Sequence, residues 1–299
     1  MTDHPIPADD LVAGFQIENW PVRGRIVRLG EVVDDILRRH AYPEPVANLL
    51  GEACALAALV GASLKFDGRL IVQAQGDGAV SYVVADYDTA GGLRGYCAFD
   101  AEKVEALSQG FARPGASTLL GKGVFVMTVD QGPDMERTQG ITPIEGETLA
   151  LCAEHYFAQS EQLPTRVLLA VGELQTAEGS SWRAGGAMIQ HIAGDEARGS
   201  TDEAWNREQI LFQTLGEDEL IDPTLPTDRV LYRLFHEDGV RMFDAKPLRA
   251  YCRCSEEGVL GMLRLFPEGE RSEMVEPDGN IHVTCEYCSR QYVVAPQGV

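Results

Sequence analysis

The hydrophobic pattern of the first part of the chain alternates between helix-like and strand-like stretches. PVANLLGEACALAALVGASLK consists mostly of small and apolar residues, which predicts a helix that ends near the turn signal FDG. RLIVQAQ and AVSYVVADY are strand-like, and Gly76-Asp77-Gly78 between them predicts a hairpin turn. LRGYCAFD and KGVFVMTVDQ are also strand-like, and they predict further strands of a sheet.

A second helix is predicted over GETLALCAEHYFAQSEQ, with Pro164 as its stop signal. Its apolar residues recur every three or four positions and form one face: Leu149, Cys152, Ala153, Tyr156 and Phe157. TRVLLAVGEL and AGGAMIQHI then look like strands. Residues 1–192 are therefore expected to form an α+β domain of mixed sheet and helix.

Residues 193–232 change character, because they are acidic, polar and punctuated by glycine and proline. Trp205, Phe212 and Leu215 fit one face of a helix, but this apolar stripe is thin for the length of the segment. Such a segment is expected to be helical only while it is docked on something else. We interpret it as a helical linker of marginal stability.

Residues 233–299 form a tail that holds four of the seven cysteines. EGVLGMLRLF is a short helix candidate, and PDGNIHVTCEYCSRQYVV predicts a hairpin that contains a tight Cys-Glu-Tyr-Cys knuckle. Cys252 and Cys254 form a C-x-C pair, and after 30 intervening residues Cys285 and Cys288 form a C-x-x-C pair. The tail is therefore expected to be a small, separate domain.

Four thiolates suit a tetrahedral zinc ion, and C-x-x-C on a hairpin is a common half-site for zinc. We expect one Zn²⁺ per chain, bound by Cys252, Cys254, Cys285 and Cys288. A tail of this size gains only about 3–5 kcal/mol from its own core, whereas a structural zinc contributes about 10–16 kcal/mol. The tail should therefore fold with the metal and unfold without it, and oxidation of a ligand pair would expel the ion.

Composition narrows the function classes. The formal net charge of −21 repels nucleic acid, and no apolar run reaches membrane-spanning length. The acidic N-terminus does not resemble a signal peptide, so we expect a cytoplasmic protein in a reducing compartment. Cys54, Cys97 and Cys152 are isolated in sequence and are expected to be buried, small apolar side chains.

Two alternatives remain open for the cysteine tail. A zinc-knuckle protein that binds nucleic acid is one, although four basic residues face eight acidic ones from Cys252 onward. A thiol-disulfide oxidoreductase is the other, although its C-x-x-C motif opens a helix, and here the strand-like SRQYVV follows. We expect neither, and we expect no catalytic residues.

Several stretches resemble the redox-regulated heat-shock-protein-33 chaperones. They are GRLIVQAQGDG, LRGY, LLGKG, QGITPIEGETLA, YFAQSEQLPTR and RLFHEDGVRMF, together with both cysteine pairs and Tyr292, and they span nearly the whole chain. The resemblance implies a zinc-bound, reduced and inactive protein. Oxidants would join Cys252 to Cys254 and Cys285 to Cys288, after which the tail unfolds and the linker loses its support.

The resemblance further implies that the active form is a homodimer that holds unfolding client proteins without ATP. Trp205 and Phe212 of the linker are candidates for client contact. One departure from the family concerns the acidic SEEG after Cys254, where relatives often have basic residues. Carboxylates near a thiol disfavour the reactive thiolate, so we expect slower oxidation of this chain.

Overall fold

The structure is a computed structural model that describes residues 9–111, 113–132, 135–177, 179–192 and 202–298. The chain divides into two compact units after Ala250. Residues 240–247, which we expected in the tail, pair with a strand of the first unit. The division into an α+β domain, a metastable linker and a redox-sensitive tail concerns stability as well as shape, and it stays a prediction.

One sheet of the first unit contains both the beginning and the end of that unit. Its strands are β1 (Leu11–Ile17), β2 (Val22–Leu29), β8 (Thr165–Thr176), β9 (Gly179–His191), β10 (Val240–Met242) and β11 (Lys246–Pro247). Their order is β10-β1-β2-β9-β8, and β11 also pairs with β1. All of these pairings are antiparallel, and the long β8–β9 hairpin matches the two strands predicted there.

The second sheet is formed by β3 (Arg69–Gly76), β4 (Val80–Asp88), β5 (Gly92–Phe99), β6 (Gly123–Asp130), β7 (Thr138–Pro143) and β12 (Arg249–Ala250). Their order is β12-β5-β4-β3-β6-β7. β3 and β4 form the predicted hairpin, whose turn follows Gly76. The side chain of Asp77 fixes this turn by accepting a 2.7 Å hydrogen bond from the backbone of Lys122.

Helix α2 (Glu44–Gly61) lies between the two sheets and is buried along nearly its whole length. Small residues let both sheets approach it closely. A methyl group on Gly51 would stand 2.8 Å from Val171, and one on Gly61 would overlap the ring of Tyr87. By length and composition alone α2 resembles a membrane span, but 83% of its apolar window is buried inside the protein.

Shorter helices complete the core of the first unit. They are α1 (Glu31–Arg38), α3 (Ala101–Gly110), α4 (Ala116–Leu120) and α5 (Leu149–Tyr156). The hydroxyl of Thr148 caps α5 by accepting a bond from the backbone of Leu151, and a π-helical turn continues α5 over Phe157–Glu161. This helix was predicted to stop at Pro164, but the left-handed backbone of Gln162 ends it earlier.

The predicted linker is helical in its described part. It forms α6 (Asp202–Phe212), α7 (Glu217–Ile221) and α8 (Thr227–Phe235), which pack on the face of the first sheet that α2 does not cover. Residues 193–201 of the expected linker lie outside the described residues. Mixed sheets and helices confirm the α+β class predicted for this chain.

The second unit is small. It contains α9 (Glu256–Leu263), α10 (Glu268–Glu273), β13 (Ile281–Thr284), β14 (Gln291–Val294) and a 3₁₀ turn (Pro296–Gly298). β13 and β14 form the predicted antiparallel hairpin. Among the described residues of this unit, the buried apolar core consists of three side chains, those of Leu263, Ile281 and Val294. So small a core leaves the fold dependent on another source of stability.

Candidate zinc centre and docked helices

The structure brings together the four cysteines that the sequence singled out. The Sγ atoms of Cys252, Cys254, Cys285 and Cys288 all lie within 4.8 Å of one another. The Sγ atoms of Cys252 and Cys285 are 3.7 Å apart, and those of Cys254 and Cys288 are 3.4 Å apart. Thiolates bound at about 2.3 Å around a tetrahedral zinc ion stand about 3.8 Å from each other. The donor set and its spacing therefore fit one zinc ion.

Cys285 and Cys288 lie in the knuckle between β13 and β14. The backbone N–H of Cys285 donates to the carbonyl of Arg290 at 2.9 Å, and that of Ser289 donates to the carbonyl of Cys285 at 2.8 Å. Ser289 adopts a left-handed backbone with φ of 56° to close the turn. The backbone N–H groups of Tyr287 and Cys288 then point toward the Cys285 sulfur, where they stabilise a thiolate.

Cys252 and Cys254 lie on the segment that leads into α9. The hydroxyl of Ser255 caps this helix by accepting a 3.1 Å hydrogen bond from the backbone of Gly258, which fixes where the chain turns after Cys254. Glu256 and Glu257 occupy the exposed first turn of α9. Their predicted effect on the rate of oxidation stays a prediction.

The four thiols do not share one electrostatic environment. Burial raises the pKa of Cys285, and it raises the pKa of Cys288 to about 12. Burial acts in the same direction on Cys254, but hydrogen bonds from Tyr292 and the other three thiols lower its pKa to about 7. Cys254 thus ionises more readily than Cys285 and Cys288, and a bound dication would favour ionisation of all four sulfurs.

Other candidate groups lie outside this cluster. Nε2 of His282 is 2.8 Å from Asp278, which raises the pKa of the imidazole, so this side chain is engaged outside the thiol cluster. Cys54, Cys97 and Cys152 are buried in the core of the first unit, as predicted. Burial raises the pKa of Cys54 to about 12 and that of Cys152 to about 11, so these thiols are poorly reactive.

The helices α6 to α8 cover a second apolar cluster. Phe15 on β1 stacks on Phe235 of α8 with ring centroids 5.8 Å apart, and Trp205 of α6 stacks on His191 of β9 at 5.5 Å. Trp205 and Phe212 are 9% and 4% exposed, so both candidates for client contact are covered in this conformation. The apolar face of the linker helices is thus docked on the first sheet. This agrees with the expectation that the segment is helical only while it is docked.

Two buried arginines hold the turn between α7 and α8 on the first sheet. The fully buried guanidinium of Arg28 on β2 donates to the carbonyls of Asp222 and Leu225. Arg183 on β9 donates to the carbonyl of Ile221 at 2.5 Å and also pairs with Asp9. Sequence reasoning missed this contact. The available signal was a cationic residue at a sheet position where an apolar one is normal.

A second polar contact joins α6 to the segment after α8. Glu208 is fully buried, and among the described residues neither of its oxygens has a conventional hydrogen-bond donor. It faces the carboxyl group of Asp238, which accepts a 2.9 Å hydrogen bond from the indole of Trp20 and lies 3.0 Å from Arg207. Burial and the charge of Asp238 raise the pKa of Glu208 to about 7.

Comparisons with known proteins identify a family model and relatives whose sequences are similar to this chain. A family model described as Hsp33 protein matches residues 10–295. The 33 kDa chaperonin of Caulobacter vibrioides (strain NA1000 / CB15N) is 70% identical over 290 residues, which cover 97% of this chain and 96% of the relative. The 33 kDa chaperonin of Enterobacter sp. (strain 638) is 36% identical over 286 residues, which cover 95% of this chain and 91% of the relative.

A solved structure shows the same fold. The crystal structure of the 33 kDa chaperonin from Thermotoga maritima matches with a TM-score of 0.79 at 24% identity, covering 97% of this chain and 96% of that one. Sequence similarity over nearly the full length and a shared architecture agree with each other. The chain belongs to the Hsp33 family.

Proposed function

We propose that this chain is a redox-regulated holdase, which binds unfolding proteins without ATP once its thiols have been oxidised. Membership in the Hsp33 family supports a chaperone function, and the relatives are named as chaperonins rather than as enzymes. The observation that carries the proposal is the cluster of four thiols in a unit whose described core has three buried side chains. In such a unit the metal ligands are also the main source of stability.

In the reduced state Cys252, Cys254, Cys285 and Cys288 would hold one zinc ion per chain. Bound zinc would keep all four sulfurs ionised and would add about 10–16 kcal/mol to the folding free energy of this unit. The knuckle N–H groups orient Cys285 for this role, and the Ser255 cap positions the segment that carries Cys254.

Oxidation is proposed to join Cys252 to Cys254 and Cys285 to Cys288. For each disulfide, two thiolates lose two electrons to one hydrogen peroxide, whose O–O bond breaks and which takes up two protons from the solvent to give two water molecules. The two disulfides use up all four ligands. The second unit then loses its metal and, with only its small apolar core left, its fold.

Client binding is proposed to follow release of α6 to α8 from the first sheet. The described part of the linker over residues 193–232 would lose its docked conformation after the zinc-binding region at residues 233–299 unfolds. Apolar side chains of the sheet, such as Phe15, Ile26 and Ile189, would then face solvent with Trp205 and Phe212. We propose that the active form is a cytoplasmic homodimer, with residues 1–192 as its folded core.

The experiment that tests this function compares one preparation in two redox states. Zinc content and free thiols are counted before and after peroxide treatment, while light scattering follows the aggregation of a chemically unfolded client. We expect one zinc and seven thiols with no protection in the reduced state. After oxidation we expect no zinc, three thiols and protection at a molar ratio near one.

Two outcomes would favour the alternatives instead. Salt-sensitive binding of RNA or DNA by the reduced protein would indicate a zinc-knuckle nucleic-acid-binding protein. Catalytic reduction of insulin disulfides would indicate a thiol-disulfide oxidoreductase. Protection that is equal in both redox states would contradict the proposed switch.

A further inference from the structure

A cleft of about 440 Å³ opens in the first unit between α2, the start of α5 and β8. Its wall includes Leu119 of the LLGKG stretch, and Glu147 and Thr148 of the QGITPIEGETLA stretch. Both stretches contribute to the family resemblance, yet neither contains a ligand of the candidate zinc centre. The cleft is therefore a second feature of the molecule, separate from the thiol cluster.

The charged side chains that line the cleft are three carboxylates and one guanidinium. The carboxylates are Glu52 on α2, Glu147 before α5 and Glu217 on α7. Arg113 is already engaged, because it donates to the carbonyl of Val171 at 3.1 Å and lies 3.4 Å from Glu217. The cleft thus carries an excess of negative charge, which favours a cationic ligand.

Asn48 gives the cleft a polar amide group that a ligand could contact. Its side chain lines the cleft, the residue is only 7% exposed, and no side-chain hydrogen bond joins it to another described residue. Asn48 precedes Glu52 by one helical turn, so both side chains lie on the same face of α2. Together they offer an amide oxygen and a carboxylate at the inner end of the cleft, both of which accept hydrogen bonds from an ammonium group.

The middle of the cleft is apolar and its rim is acidic. Leu49, Leu119, Leu151 and Leu169 form its aliphatic walls. Glu147 and Glu217 are exposed and lie at the outer side. The described residues that cluster closely enough to hold a metal ion are the four cysteines, so an organic cation suits this lining better than a metal.

We infer that this cleft binds a small aliphatic diamine. The inner ammonium would donate to Asn48 and Glu52, the methylene chain would lie along the leucines, and the outer ammonium would pair with Glu147 or Glu217. Binding at this site does not depend on the redox switch, because none of the cysteines of the thiol cluster takes part in it.

Isothermal titration of the reduced, zinc-loaded full chain with 1,4-diaminobutane at pH 8 tests the inference, and 1,4-butanediol serves as the uncharged analogue. We expect a single saturable site for the diamine and none for the diol. Glu52→Gln should weaken binding at least ten-fold, and Asn48→Ala should weaken it several-fold. Glu102→Gln, on the exposed face of α3 and outside the cleft, should bind like the unmodified chain.

The pH dependence separates this site from general attraction to an acidic protein. Burial, and to a lesser extent the charge of Glu217, raises the pKa of Glu52 to about 7, while the charge of Arg113 and a hydrogen bond from the backbone of Leu149 act in the opposite direction. The carboxylate of Glu52 is therefore largely ionised at pH 8 and largely protonated at pH 6. The affinity for the diamine should fall about ten-fold between those values. Glu52→Gln should remove this dependence, while circular dichroism confirms that the variant is folded. Absence of saturable binding below 10 mM, or equal affinity of Glu52→Gln, would overturn the inference.

Discussion

The carboxyl group of Glu208 on α6 faces that of Asp238, in a buried contact where α6 meets the end of α8. Burial and the neighbouring charge of Asp238 disfavour ionisation of Glu208, so Glu208 keeps its proton to a higher pH than an exposed glutamate does. The contact lies within the helices that cover the first sheet. The docking of these helices is therefore linked to proton concentration.

The sign of this linkage follows from the direction of the shift. The pKa of Glu208 is raised from 4.5 to about 7 in the docked state, so docking retains a proton that the released helices lose. The contribution of Glu208 to the stability of the docked state is fully present below about pH 4.5 and is lost as pH rises to about 7, by up to about 3 kcal/mol. We expect urea unfolding of the reduced protein to show a lower midpoint at pH 8 than at pH 6.

Glu208→Gln should remove most of this pH dependence and should raise the midpoint at pH 8, because the amide buries no charge. Glu203→Gln, on the exposed side of the same helix, is the matched control and should behave like the unmodified chain. A Glu208→Gln variant that keeps the full pH dependence would contradict the assignment of this proton to Glu208.

Removing the buried guanidinium of Arg28 should release the turn between α7 and α8. Arg28→Ala leaves the carbonyls of Asp222 and Leu225 without their donor, which costs about 2–4 kcal/mol. We expect faster proteolysis within α6 to α8 and some client protection even in the reduced state. Arg229→Ala, an exposed position on α8, is the control for loss of charge alone.

Loss of one cysteine of the cluster should unfold the second unit. Cys285→Ser removes one of four donors, and the remaining core of Leu263, Ile281 and Val294 is too small to hold residues 251–298 together. Zinc analysis of the full chain should show no bound metal. Amide NMR spectra should show, for this unit, the narrow range of chemical shifts that is typical of an unfolded segment. Cys152→Ala, in the core of the first unit, should keep one zinc; a folded, metal-free Cys285→Ser variant would be evidence against this interpretation.

The left-handed backbone at Ser289 offers a finer test of the knuckle. Ser289→Val places a β-branched residue at φ of 56°, where side chains of that shape are strained by about 1–2 kcal/mol. We expect roughly a ten-fold loss of zinc affinity in competition with a chelator. Ser289→Gly should bind zinc as tightly as the unmodified chain, and equal affinities of Ser289→Val and Ser289→Gly would contradict this role of the backbone.

Much of the fold could be predicted from local patterns in the sequence. The Gly76-Asp77-Gly78 turn, the long apolar helix α2 and the knuckle around Cys285 were predicted because their signals lie within a few residues of one another. The thiol cluster was also predicted, since cysteines at ligand spacing have few other uses in a reducing compartment.

Contacts between distant parts of the chain were not predicted. Val240–Met242 pairs with β1, more than two hundred residues earlier, and no local pattern encodes that partner. The same holds for Glu208, which looks like an ordinary surface residue until the tertiary structure buries it, and for Arg28, whose position in a strand does not reveal which carbonyls it binds. The linker was identified by its thin apolar stripe, but the surface on which it docks depends on strand order.

Arg28 and Arg183 hold the linker through hydrogen bonds to its backbone carbonyls. These hydrogen bonds do not depend on which amino acids occupy positions 221 and 225. Substitutions there can strengthen or weaken helix formation while the attachment point stays in place. Under the proposed switch, closely related chains can therefore evolve different thresholds for release of the linker while the sheet beneath it stays the same.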